Sequence, residues 1–296
     1  MAGGGRAGEP VEPPGISFDL DRLEREEFMR GQVPPGEVPV RPRPAATVVV
    51  ARPTVATSPT QGKNGERGTE RAGSGFEVLL LRRPSGARFA AGAYVFPGGT
   101  IDPGDGAPEL VRRVPAGLRR EAPALIAGLR ELFEETGFLL ADDALPPAQL
   151  REARRDLLEG RRGFLDVVRH AEVSFGRLRA VYLSRWITPK RLSRRYDTRF
   201  FLAEWPGGGE PELTDELESH VWLAPADAVA RSRDGRLPML IPTRYTLEML
   251  SRHSSVASIQ DGWRDRVVEP ILPRLLVVGS SVRPVLPGDP AYEEAE

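Results

Sequence analysis

An amphipathic segment at residues 124–137 constrains the fold of this chain more than any other part of its sequence. One face of the segment collects large apolar side chains at helical spacing, namely Leu125, Leu129, Leu132 and Phe133. Gly137 then stands where helices commonly end in the left-handed conformation. The sequence therefore predicts a helix over these residues, with one face apolar.

Short apolar and β-branched runs predict strands elsewhere in the chain. They are residues 47–51, 76–81, 181–187, 199–205 and 218–223. The first two are typical of a hairpin around a polar, glycine-rich stretch at 57–75, which is predicted to be a flexible loop. Residues 147–171 are predicted to be amphipathic helix, and the remainder from about Pro225 to be mostly helical.

Glycine and proline together make up about a fifth of the chain, with 31 Gly and 29 Pro among 296 residues. Residues 1–45 are rich in both, so they cannot bury enough apolar surface to offset the entropy of ordering, and they are predicted to be largely disordered. Within this segment, residues 16–30 predict one short helix, which Asp21 and Glu24 could cap.

The composition excludes several kinds of site. The chain has no Cys, which excludes disulfides, thiolate metal sites and cysteine nucleophiles, and 3 His leave little for a histidine-based zinc site. Lys and Arg number 41 against 42 Asp and Glu, a balance that argues against a dedicated nucleic-acid binder. The sequence shows no secretory signal and no apolar run long enough to span a membrane, so a cytoplasmic location is the default expectation.

Three carboxylates, Glu131, Glu134 and Glu135, share one face of the predicted helix. Among the residues at helical spacing from them, Arg130 is the only cation. Such a face is stabilised when a divalent cation lies against it, and oxygen ligands without His or Cys favour Mg²⁺ or Mn²⁺. On this cluster alone, an acidic surface face that binds nothing is an equal alternative.

The residues before and on this helix resemble the sequence box of the Nudix hydrolases, G-x5-E-x7-R-E-U-x-E-E-x-G-U, in which U is apolar. Gly99, in the sequence Phe96-Pro-Gly-Gly99, matches the opening glycine. The second half of the box is matched in register by Arg130, Glu131, Leu132, Glu134, Glu135, Gly137 and Phe138.

The first half of the box departs from the family pattern. Asp105 stands in place of the first glutamate, and 24 residues (106–129) separate it from Arg130 where the family has seven. The box therefore carries a 17-residue insertion, within which Glu121 could substitute for the missing glutamate.

The resemblance implies an α/β fold, a Nudix-type α/β/α sandwich with a mixed sheet. It places the Nudix domain at residues 46–225, with the box insertion at 106–122. It also implies a helical C-terminal extension at 226–296 that packs on the domain.

The resemblance further implies a diphosphatase that needs Mg²⁺ or Mn²⁺. Glu131, Glu134 and Glu135, with the Gly99 carbonyl, would hold the metal, and Arg130 would orient the glutamates by ion pairing. The metal would bridge diphosphate oxygens while a water molecule attacks phosphorus.

One carboxylate must take the proton of the attacking water. Glu131 is the predicted base. Some family members use a glutamate in a later loop, where Glu216 and Glu218 are the candidates, although a solvated turn is an equal interpretation of this pair.

Arg88 begins the pattern R-x3-G-x3-F-P-G-G, which is similar to part of the motif of the coenzyme A diphosphatases. More broadly, the chain from about residue 76 onwards looks like the animal peroxisomal Nudix enzymes that hydrolyse coenzyme A and its esters. An arginine pair suits the 3′-phosphate of such a substrate. The candidate substrate-binding residues are Arg88, Gly98, Gly99, Arg194 and Arg195.

The favoured substrate is coenzyme A or an acyl-CoA, cleaved to adenosine 3′,5′-bisphosphate and (acyl-)phosphopantetheine. ADP-ribose, NADH and other nucleotide diphosphates are alternatives, as is a Nudix-like protein that only binds nucleotides. The expected partner is thus a small nucleotide diphosphate rather than a membrane or a nucleic acid, and a homodimer is left open.

Overall fold

The computed structural model describes residues 38–54, 75–143, 145–205, 209–278 and 281–295. The helix predicted at 16–30, most of the tail predicted at 1–45 and the loop predicted at 57–75, apart from Gly75, lie outside these residues. Within the described residues, no helix has both the length and the apolar character needed to cross a membrane.

A mixed β-sheet forms the centre of the fold. Its strands are β1 (Arg43–Pro53), β2 (Phe76–Arg82), β3 (Tyr94–Val95), β4 (Gly98–Thr100), β5 (Ala180–Ile187), β6 (Tyr196–Glu204), β7 (Ser219–Leu223) and β8 (Pro270–Ile271). They run in the order β3-β2-β1-β6-β5-β8, with β4 paired to β1 and β7 paired to β2. The β1–β6 and β5–β8 pairs are parallel and the others antiparallel, so the predicted mixed sheet is confirmed.

Helices cover both faces of this sheet. They are α1 (Pro108–Arg113), α2 (Ala122–Thr136), α3 (Pro147–Leu158), α4 (Phe164–His170), α5 (Pro225–Arg233), α6 (Ile241–Leu250) and α7 (Val256–Trp263). Side chains alternate along a strand, so Val48 and Val50 of β1 join the core beneath α2, while Val49 and Ala51 join the core beneath α6 and α7. Because β1 is buried on both faces, it is the centre of the predicted α/β/α arrangement.

The described residues differ from the sequence predictions in three places. The run predicted as helix at 147–171 is two helices, because the chain turns at Gly160, which has a φ of 67°. Strand β1 begins at Arg43, inside the segment predicted to be disordered.

The third difference lies in the C-terminal extension. Beyond α7, the chain forms β8 and a hairpin of β9 (Arg274–Val278) and β10 (Ser281–Val285) rather than helix. Pro270, Pro273 and Pro284 disfavour helix here, and the β-branched residues between them favour strand. The domain limits at 45/46 and 225/226 stay predictions.

Close packing between α2 and the sheet depends on Gly128. A Cβ atom at this position would lie 2.6 Å from Cγ2 of Val48, whose side chain is fully buried. We expect Gly128→Ala to destabilise the fold by about 1 kcal/mol, because overpacking outweighs the gain in helix propensity. Urea denaturation would measure the shift in midpoint. Gly117→Ala is the matched control, since a Cβ there meets open space, and an equal loss in both variants would contradict the packing explanation.

Candidate active site

The acidic residues of α2 lie near the C-terminal end of the helix. Gly137 caps it in the left-handed conformation, with a φ of 76°, and its N–H donates to the carbonyl of Phe133 at 2.9 Å. The apolar face predicted from Leu125, Leu129 and Leu132 is fully or nearly fully buried against the sheet. Packing of that face therefore fixes the direction in which the carboxylates project.

Arg130 is the buried hub of the cluster. Its Nε and Nη2 donate to the two oxygens of Asp105, each at 3.1 Å, and Nη2 also donates to the carbonyl of Thr100 at 2.9 Å. Its Nη1 faces Glu131 at 3.0 Å and Glu134 at 3.3 Å. Although burial opposes the charge, the Asp105 carboxylate raises the pKa of Arg130 above its usual range. The guanidinium thus ties the Gly-rich loop to the acidic helix.

Asp105 is almost completely buried, with 2% of its surface exposed. It lies in a short 3-10 helix, Pro103–Gly106, and its Oδ2 also accepts the N–H of Asp102 at 2.8 Å. All of its described contacts are with Arg130 and this turn. The residue that stands in place of the family's first glutamate therefore holds Arg130 in position.

Glu131 lies directly against Gly99 of β4. A Cβ at residue 99 would come within 2.3 Å of Oε1 of Glu131, so any larger residue there would displace the Glu131 carboxylate. Burial raises the pKa of Glu131 to about 7, despite the opposing charge of Arg130. This contact explains why the Gly-Gly pair precedes the acidic helix in the sequence.

Glu135 is more deeply buried than Glu131 and Glu134. Its Oε2 accepts the backbone N–H of Gly98 at 3.2 Å. Burial raises the pKa of Glu135 to about 8, and the Glu131 carboxylate adds to the rise. Burial also raises the pKa of Glu134, which Arg130 opposes.

The donor chemistry of this face fits a hard divalent cation. Glu131, Glu134 and Glu135 are oxygen donors on one helix face, and burial raises the pKa values of Glu131 and Glu135, so a bound cation would favour their ionised forms. In the described part of the chain, however, no three acidic or histidine side chains converge closely enough to form a ready ligand cluster. Instead, Glu131 and Glu134 accept hydrogen bonds from Arg130, and Glu135 accepts one from the backbone N–H of Gly98.

The other candidate carboxylates lie apart from this face. Glu121 accepts a hydrogen bond from Nε of Arg199 at 2.7 Å, and ten residues of helix, roughly 15 Å, separate it from Glu131. Glu218 is engaged by Arg82 at 3.3 Å and by the backbone N–H of Ser85 at 3.2 Å.

Glu216 remains beside the site. It is exposed, and its charge contributes to the raised pKa of Glu135. Of the two late-loop candidates, Glu216 is therefore the one whose charge reaches the acidic helix.

A cavity of about 450 Å³ opens beside the carboxylates, and both Glu135 and Gly98 line it. Two of the predicted substrate-binding residues, Arg88 and Arg194, are exposed and line the same cavity. The guanidinium of Arg194 lies 5.9 Å from the ring centre of Phe89. Arg88 and Arg194, both predicted from the sequence to bind substrate, thus line one cavity.

Arg195 has a different place. Its side chain is buried, and its Nε and Nη1 donate to the carbonyls of Thr188 at 3.0 Å and Val40 at 2.7 Å. Burial lowers its pKa. Unlike Arg194, Arg195 does not line the cavity, and its guanidinium is engaged by backbone that follows β5 and precedes β1.

Arg83 is a site residue that sequence reasoning missed. It lines the cavity, its Nε donates to the carbonyl of Phe89 at 3.1 Å, and its charge partly offsets the raised pKa of Glu135. The available signal was its place directly after strand β2, where a side chain reaches the edge of the sheet.

No family model matches the chain, whereas curated proteins and solved structures that are similar to it do exist. An acyl-coenzyme A diphosphatase, NUDT19, of Gallus gallus is 28% identical over 281 residues, which cover 74% of this chain and 73% of that protein. Putative nudix hydrolase 7 of Caenorhabditis elegans is 30% identical over 179 residues, which cover 59% of this chain and 56% of that protein.

Among solved structures, the Nudix hydrolase from Alicyclobacillus acidocaldarius superimposes with a TM-score of 0.58. It is 30% identical, and the match covers 75% of this chain and 96% of that structure. The acidic helix, its arginine and the glycine that receives Glu131 are the parts of the box for which the sequence and the geometry agree. The chain therefore belongs to the Nudix hydrolase family.

Proposed function

We propose that this protein hydrolyses the diphosphate of coenzyme A or an acyl-CoA, releasing adenosine 3′,5′-bisphosphate and (acyl-)phosphopantetheine. One observation carries the proposal: a single cavity is lined by Glu135 of the acidic helix, by three arginines and by many apolar residues. Coenzyme A esters combine a diphosphate, a further phosphate and an apolar arm in one molecule. Two relatives, from Gallus gallus and Xenopus laevis, are named acyl-coenzyme A diphosphatases, which supports the same substrate class.

Glu131, Glu134 and Glu135, with the Gly99 carbonyl, are the residues that would hold Mg²⁺ or Mn²⁺. The metal would supply charge neutralisation at the diphosphate oxygens. Arg130 keeps Glu131 and Glu134 on one side of the helix through hydrogen bonds at 3.0 Å and 3.3 Å.

Glu131 is the proposed base that takes the proton of the attacking water. A pKa near 7 suits this task, because a general base is most effective when its pKa lies close to the working pH. Arg83 and Arg88 line the cavity from which the diphosphate would approach, so their charges would orient it.

A panel of diphosphates with Mg²⁺ or Mn²⁺ tests the proposal. We expect kcat/KM for coenzyme A or its short esters to exceed that for ADP-ribose, NADH and oxidised deoxynucleotides by roughly tenfold or more, because the extra contacts act in the transition state. Chromatography would identify the adenosine 3′,5′-bisphosphate. Turnover of ADP-ribose, without release of adenosine 3′,5′-bisphosphate from coenzyme A, would contradict the proposed substrate. It would leave the assignment to the Nudix hydrolase family unchanged.

The cellular location and the oligomeric state stay predictions of the sequence. A cytoplasmic enzyme would appear in the soluble fraction of disrupted cells, and a homodimer would sediment at about twice the mass of 32.4 kDa. Neither prediction affects the assignment of the cavity.

A further inference from the structure

Part of the cavity lining is hydrocarbon. We call this surface the apolar wall and define it by Ile187, Leu192, Leu240, Ile241, Leu275 and Pro284. Three separate parts of the chain build it: the end of β5 and the turn that follows, the start of α6, and the β9–β10 hairpin. Its residues come largely from the C-terminal extension, which the Nudix box does not include.

The sheet supplies the floor of the same cavity. Alternate residues of β6, namely Tyr196, Thr198 and Phe200, line the cavity, as do Trp186 near the end of β5 and Thr188 just after it. The alternation along β6 shows that one face of this strand lines the same cavity as the arginines and the apolar wall. A ligand bound at the carboxylates can therefore extend along this face without leaving the cavity.

Charge is distributed unevenly along this path. Arg83, Arg88 and Arg194 line the cavity together with Phe89, whereas the apolar wall carries no ionisable side chain. A phosphorylated sugar would leave its hydroxyl groups unpaired against hydrocarbon, which costs free energy. An alkyl chain would instead exchange water for apolar contact.

We propose that the apolar wall binds the alkyl chain of an acyl-CoA thioester and so sets the chain-length preference of the enzyme. This inference rests on the proposed function for the identity of the substrate. The thioester is not cleaved at this site, so no bond changes at the wall. Its residues act through binding of the chain alone.

Binding of acyl-CoA esters to the metal-free protein tests the role of the apolar wall separately from catalysis. Protein with all metal removed is titrated with coenzyme A and with its acetyl, butyryl, hexanoyl and octanoyl esters, and Kd is measured by calorimetry. We expect affinity to rise by about twofold to fourfold per methylene until the cavity is filled, from the free energy of burying hydrocarbon. An affinity independent of chain length would overturn the proposal.

Two variants locate the effect. Leu192→Gln should lower the ratio of octanoyl-CoA to coenzyme A affinity by roughly tenfold, because it replaces a half-buried apolar contact with a neutral polar group. Leu275→Trp should shorten the preferred chain by filling part of the cavity. Leu158→Gln is the matched control, since Leu158 is 49% exposed and does not line the cavity.

The outcomes separate the two proposals. Loss of chain-length dependence in Leu192→Gln, with the Leu158→Gln ratio unchanged, supports the wall. An unchanged ratio in both Leu192→Gln and Leu275→Trp, in proteins that still hydrolyse coenzyme A with Mg²⁺, overturns the wall and leaves the proposed function intact. Failure of the wild type to hydrolyse any coenzyme A ester overturns the proposed function, while the metal-free binding data still decide the wall.

Discussion

Glu135→Gln should abolish turnover and at the same time stabilise the metal-free protein. Activity with Mg²⁺ should fall by at least about a hundredfold, because the variant removes one anionic oxygen donor from the proposed metal face. The free energy of unfolding without metal should rise by roughly 1–3 kcal/mol at pH 8, because a carboxylate that is costly to ionise is replaced by a neutral amide. The amide oxygen can still accept the N–H of Gly98.

The dependence on pH follows from the sign of the pKa shift. The pKa of Glu135 rises from 4.5 to about 8 on folding, so between these values the folded protein retains a proton that the unfolded chain releases. The contribution of Glu135 to stability therefore falls as pH rises from about 4.5 to about 8. The advantage of the glutamine variant should be largest near pH 8 and vanish near pH 4.5.

Thermal unfolding in the presence of a chelator, measured across this pH range, checks the prediction. Glu152→Gln is the control, because Glu152 is an exposed glutamate of α3 that does not line the cavity. A wild-type rate in Glu135→Gln would remove this residue from the site. If Glu135→Gln is less stable than the wild type at pH 8, burial does not make the Glu135 carboxylate costly to ionise.

Arg130→Ala should be the most destabilising single change at the site. Removal of the guanidinium leaves the nearly buried Asp105 without its cation and exposes Glu131 and Glu134 to uncompensated repulsion. The loss should be about 3–5 kcal/mol, the usual result of breaking a buried ion pair from one side. For a domain of this size, the melting temperature should fall by on the order of 10 °C.

The experiment needs a control for simple loss of an arginine. Arg264→Ala serves, because Arg264 pairs with Asp261 at the surface, where the two side chains are 70% and 74% exposed, and such pairs contribute little. The double variant Arg130→Ala/Asp105→Ala should recover part of the loss, since the orphaned carboxylate is gone. Equal melting temperatures for the two single arginine variants would contradict the proposed hub.

The sequence was most informative where one local pattern decides both structure and chemistry. The helical period of Leu125, Leu129 and Leu132 sets which face of α2 is buried, and that face fixes the side on which Glu131 and Glu135 project. No long-range information was needed for this part of the site. The predicted strands were found for the same reason, since each is a short run of apolar residues bounded by turns.

Other parts depend on contacts between distant residues. Arg194 and Arg195 are neighbours in the sequence, yet only the first lines the cavity, and the second holds the backbone at Val40. Arg194 lies in a bend and Arg195 directly precedes β6, so the charge pair carries no information about which member faces a ligand. Likewise Glu121 joins Arg199 of β6, a pairing visible only once the sheet is assembled.

The parallel pairing of β1 with β6 has a consequence for how this chain is made. Nine residue pairs join Arg43–Ala51 to Tyr196–Glu204, so the central strand cannot complete its hydrogen bonding until about two thirds of the chain has left the ribosome. Pairings of such long sequence separation fold slowly, and an unpaired strand edge is prone to association in the interval. During synthesis, Gly99 therefore lies on a strand, β4, whose partner β1 has not yet paired with β6.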